Sequence, residues 1–114
     1  MDWVLIMYRV LIDDKRSFDD GRDCVVARDL SSAVNVLSQG EHIDELWLDF
    51  DLGGMDSVSD VLFELKRNGV TLSVGKVFVH ASGSYGVVDL LSNILVSLGV
   101  HESVVSAVDS KTHF

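Results

Sequence analysis

Three places in this 114-residue chain gather residues able to do chemistry, and each follows an apolar run. Asp13-Asp14 ends the stretch Trp3 to Ile12, Asp49-Phe50-Asp51 ends Glu45-Leu46-Trp47-Leu48, and His80-Ala81-Ser82 follows Val77-Phe78-Val79. Close carboxylates repel, and each raises the other's pKa unless a cation sits between them. Hard oxygen donors suit Mg²⁺ or Mn²⁺, with Asp13, Asp14 and Asp49 as candidate ligands and a phosphate oxygen completing the shell. Arg16, Arg22 and Arg28 lie on the flanking segment, and a guanidinium forks onto phosphate oxygens. Gly53-Gly54 lets backbone N–H groups approach an anion, although the same pair equally makes a tight turn. Ser82 is the remaining candidate for substrate contact. An imidazole such as His80 is suited to proton transfer near pH 7, and Asp49 and Asp51 join it as candidate catalytic groups. The chain has no P-loop, zinc-ligand spacing, nucleophile elbow or dinucleotide fingerprint. Acids, arginines and one histidine point to phosphate-ester chemistry rather than acyl transfer.

Each cluster alone has a plainer reading. An Asp pair after a strand is commonly a turn or helix cap, and a lone His after an apolar strand is commonly structural. The functional reading requires the elements to bring all three together. Trp3 to Ile12 is nearly continuous in apolar residues, as a strand covered on both faces would be. Cys24 to Arg28 reads as a second strand, and Ser31 or Ser32 as the cap of a helix running through Gln39 to the stop at Gly40. Glu45 to Phe50 is the third strand. A helix follows with Val58, Val61, Leu62 and Leu65 inward, ending at Asn68-Gly69. Val74 to His80 is the fourth strand; Val87, Leu91, Ile94 and Leu98 stripe a third helix; Ser103 to Val108 is a short edge strand. This alternation predicts one α/β domain over residues 1–114, a doubly wound, mainly parallel five-stranded sheet of order 2-1-3-4-5. Residues 1–8 form an N-terminal extension and the start of the first strand, and residues 109–114 a tail. The first connection is short for a crossover helix, so an extended or one-turn link is expected there. In such sheets ligands bind beyond the carboxyl ends of the strands, where all three clusters fall.

Composition narrows the function classes. Nine basic against eighteen acidic residues give a net charge of −9, which disfavours general binding to DNA or RNA backbones. The single cysteine, Cys24, excludes an internal disulfide and fits a reducing cytoplasm. The apolar N-terminus lacks a basic leader and is broken by Arg9, so neither a signal peptide nor a membrane span is expected. There is no proline, so Gly, Asp, Ser and Asn must make the turns. The mixed-charge stretch from Asp13 to Asp29 has the composition of a solvated loop.

At these residues the sequence resembles the receiver superfamily, and more closely its offshoot, the cyclic-phosphate processing receiver domain. The resemblance is carried by Asp13-Asp14-Lys15-Arg16, Gly21-Arg22, Ala27-Arg28, Leu46-Trp47-Leu48-Asp49-Phe50-Asp51-Leu52-Gly53-Gly54 and His80-Ala81-Ser82, from about Arg9 to Gly99. It implies a receiver-like fold and a role in processing cyclic phosphates, such as RNA ends in repair or an ADP-ribose-type nucleotide. The implied partner is a small phosphorylated substrate or an RNA end. Phe50 stands where such domains often carry His, which speaks against a two-histidine acid/base pair. Two other classes compete. One is a stand-alone signalling receiver phosphorylated at Asp49, although His80 falls where a Ser or Thr is expected and the required lysine could only be Lys111. The other is a non-catalytic acidic interaction or inhibitor protein with a protein partner. Such a mimic needs acids spread over a face, whereas here they gather at strand ends.

Overall fold

The computed structural model describes residues 7–50, 57–80 and 85–108. Five strands form one all-parallel sheet: β1 (Arg9–Ile12), β2 (Val25–Ala27), β3 (Ile43–Asp49), β4 (Val74–His80) and β5 (Val105–Val108), in the order β2-β1-β3-β4-β5. Three helices, α1 (Leu30–Leu37), α2 (Val58–Arg67) and α3 (Tyr85–Ser97), alternate with the later strands, and a 3₁₀ turn over Glu102–Val104 precedes β5. This is the α/β receiver-like architecture and strand order expected from the alternation of apolar runs. No helix among the described residues is long and apolar enough to cross a membrane.

The winding reverses after β1, because β2 lies on one side of it and β3 on the other. Right-handed crossovers therefore place the first connection on one face and the later ones on the opposite face. All three helices pack over Val10, Ile12, Leu46, Leu48, Val77 and Val79, and contribute Ala33, Leu37, Val61, Leu65, Leu91 and Leu95 to that core. The other face presents Leu11, Trp47 and Phe78. There the helix-free loop 13–24 supplies Phe18 as a lid, with no helix among the described residues. Gly21, at φ +70°, closes the turn whose N–H returns to the Phe18 carbonyl, a conformation that an L side chain resists.

Several boundaries differ from the sequence expectation. The start of the expected first strand, residues 3–6, lies outside the described residues; Met7 and Tyr8 are not in β1. Tyr8 instead donates its N–H to the Asp44 carboxylate at 2.7 Å. The second strand is trimmed by one residue at each end, and β3 begins two residues earlier, with Ile43 buried. The first helix is capped by Asp29 rather than Ser31 or Ser32: the Asp29 carboxylate accepts the Ser32 N–H at 2.8 Å. That bond holds the Asp29 carboxyl below its usual pKa.

Candidate functional site

Because β1, β3 and β4 are neighbours and parallel, their carboxyl ends meet at the middle of one edge. Asp13 and Asp14 follow β1, Asp49 closes β3 and His80 closes β4. One carboxylate oxygen each from Asp13, Asp14 and Asp49 comes within 4.8 Å of the others. Asp49 and His80 are register partners across β3 and β4. These four residues lie where strand-end reasoning places them, beside the point where the winding reverses, which is where open α/β sheets bind ligands.

Asp13 is only 1% exposed. Its Oδ1 accepts the backbone N–H groups of Lys15 and Arg16, both at 2.9 Å, while its buried Oδ2 has no hydrogen-bond partner among the described residues. A buried carboxylate oxygen left without a donor is costly unless something positive meets it. The donor set suits a hard divalent cation: all oxygen, one carboxylate buried and two half-buried.

His80 is 3% exposed, and its ring lies 5.6 Å from that of Trp47. Side chains alternate along a strand, so Glu45, Trp47 and Asp49 share one face, as do Lys76, Phe78 and His80 on the next strand. An aromatic row runs back from the acid cluster along this helix-free face. Phe18 meets Trp47 edge-on at 5.0 Å, and Trp47 stacks on Phe78 at 4.2 Å. Below it, Glu45 Oε1 accepts the Trp47 Nε1–H at 3.1 Å and the Arg9 Nε–H at 2.7 Å. Burial opposes ionisation of Glu45, but these bonds and the nearby positive charges outweigh it and hold the carboxyl below its usual range. Sequence reasoning missed Phe18 and Phe78 as site neighbours. The period-2 alternation of β4 was the signal for Phe78, but Phe18, in an irregular loop, has none.

The three arginines part ways. Arg16 is exposed on the loop beside the carboxylates. Arg22 lies over the Phe18 ring at 4.4 Å, and its Nε donates to both Asp20 oxygens at 2.9 Å. The Arg22 side chain, with its N–H, pulls the Asp20 carboxyl down to about 2. Arg28 turns toward backbone oxygens of the first loop. Asp51, Gly53, Gly54 and Ser82 lie outside the described residues, as does Lys111.

The sequence model described as the cyclic-phosphate processing receiver domain matches residues 8–94. No curated protein matches the chain. Among solved structures, the chain is similar to a fusion of residues 181–211 of the yeast Spc42 trimeric coiled coil with another protein. The identity is 15% and the TM-score 0.59, over 97% of this chain and 73% of that one. At that identity the likeness concerns the fold alone.

Proposed function

This chain belongs to the cyclic-phosphate processing receiver domain family, and on that premise we propose that it binds a cyclic phosphate ester at the carboxyl edge of its sheet and hydrolyses it. The observation that carries the reading is the register pairing of Asp49 with His80 beside the three-carboxylate cluster. In the reaction, water adds to phosphorus and releases one proton, one P–O ester bond breaks, and the departing alkoxide takes a proton whose donor the released one restores, leaving a phosphate monoester with a free hydroxyl. His80 is the residue assigned to give that proton, since imidazole is the side chain most often used for general acid–base work and, among the described residues, His80 is the imidazole that closes a strand at this edge. Asp13, Asp14 and Asp49 are the residues that would hold Mg²⁺ or Mn²⁺. Such a cation would offset the charge growing on the phosphate oxygens. Arg16 is assigned to orient the phosphate from the loop. The aromatic row excludes water behind His80, which strengthens charge interactions at the edge.

The family name speaks for a cyclic phosphate; an RNA end and an ADP-ribose-type nucleotide are the two substrate classes we propose to test. A panel of 2′,3′-cyclic and linear phosphates, with and without Mg²⁺ and followed by ³¹P NMR, should show conversion of a cyclic ester to a monoester. Failure across the panel, together with Mg²⁺-dependent acetyl-phosphate labelling of Asp49, would identify a signalling receiver instead. Failure of both assays would leave a non-catalytic interaction domain.

A further inference from the structure

Arg28 follows β2 directly and reaches back across the sheet edge to the loop after β1. Its Nη1 donates to the carbonyl oxygens of Arg16 at 2.6 Å and Asp13 at 3.3 Å, and its Nη2 donates to Ser17 Oγ at 2.7 Å. One planar guanidinium thus spans residues 13–17 from outside the turn. From inside, Asp13 Oδ1 gathers the Lys15 and Arg16 N–H groups. The segment held between these two sets of bonds carries two of the three clustered carboxylates.

We propose that Arg28 is a positioning residue. Its guanidinium fixes the loop that presents Asp13 and Asp14, and so sets the spacing of the carboxylate cluster, instead of gripping the phosphate. The functional half of this inference rests on reading the cluster as a divalent-cation site; the clamp itself rests on the three hydrogen bonds alone. The energetic argument is one of preorganisation. Mg²⁺ demands near-octahedral oxygen geometry, so a loop free to spread its acids binds the ion poorly. Groups that orient metal ligands without touching the ion typically matter by about 10–100-fold in affinity. An arginine suits this place because its fork meets two carbonyls and a hydroxyl at once. A lysine ammonium offers three donors from a single point and lacks the planar fork that spans these acceptors.

Two readouts on wild type, Arg28→Ala and Arg28→Lys separate the possibilities: amide hydrogen exchange at Lys15 and Arg16, and Mn²⁺ affinity by electron paramagnetic resonance with the metal alone. In Arg28→Ala, both amides should exchange about tenfold or more faster while amides of β3 hold their protection, and Mn²⁺ affinity should fall by about tenfold or more. Arg28→Lys should recover part of both effects, and millimolar guanidinium should partly rescue Arg28→Ala. Unchanged exchange and unchanged Mn²⁺ affinity, with weaker binding of inorganic phosphate, would overturn the proposal and make Arg28 a phosphate ligand. If wild type binds no Mn²⁺, the cation reading falls, while exchange at Lys15 and Arg16 still decides the clamp. Should Arg28→Ala not fold, the same two readouts on Arg28→Lys decide it.

Discussion

Among the described residues, Asp13 and His80 are the buried polar residues at the site, and the proposed function gives them different loads. Removing a general acid typically costs about 10²–10⁴ in rate. His80→Ala should therefore lose turnover on that scale in the ³¹P assay, with phosphate affinity changed by only a few fold. Turnover that survives the substitution would show that His80 is not the acid. Asp13→Asn keeps an oxygen for the Lys15 and Arg16 N–H groups and removes one of three clustered charges. In the absence of divalent cation its Tm should match or exceed that of wild type, while the upward shift produced by Mn²⁺ should disappear. A shift that persists would move the cation elsewhere. Asp13, Asp14, Asp49 and His80 were legible from sequence because each ends an apolar strand. The contacts that Arg22 and Arg28 make within the first loop were not. A guanidinium has five donors, and an irregular loop has backbone oxygens that need partners, so a nearby carboxylate or carbonyl competes with any phosphate.

Among the elements, the strands and helices followed from apolar spacing, whereas their ends were set by single hydrogen bonds that spacing does not encode. Asp29 in place of Ser31 or Ser32 is one such case, and the early start of β3 beside Tyr8 is another. The first crossover is the connection with least regular structure, and it carries the Arg22–Asp20 ion pair. The folded value of the Asp20 carboxyl, about 2, lies below its ordinary 3.8. A depressed value gives stabilisation that is complete above the unfolded pKa and lost as pH falls through the folded one. The contribution of the Arg22–Asp20 contact to stability should therefore be complete above about pH 4 and fade between there and about pH 2, while the Asp20 carboxyl ¹³C shift of the folded protein should titrate with its midpoint near 2. Arg22→Gln should move that midpoint up toward the ordinary carboxylate range. Phe18 is the apolar anchor of the same loop. Phe18→Ala should cost about 3 kcal/mol, the lower end for a buried phenylalanine because a loop can partly collapse, and should shift Trp47 emission to the red.

For the whole molecule, a net charge of −9 with three acids converging at one edge would make a bound cation a lever on global stability. A ligand that binds the folded state alone contributes RT ln(1 + [L]/Kd), about 2.7 kcal/mol at 100 times Kd. Millimolar Mg²⁺ or Mn²⁺ should raise Tm accordingly, and a flat response would favour a mechanism resting on His80 and Arg16 without metal. The all-parallel sheet also governs how the chain finds its fold. With no antiparallel neighbour anywhere in the described sheet, no hairpin can form first. Even the nearest pairing, Val10 with Val25, waits on a loop closure, and Arg9 with Glu45 and Ile43 with Val74 wait on longer ones. Folding should therefore be slow for a domain of this size, limited by the entropy of bringing distant strands together. Because the sequence contains no proline, no isomerisation step can add a later phase. Double-jump refolding should give the same kinetics whether the chain has been held unfolded for a second or an hour.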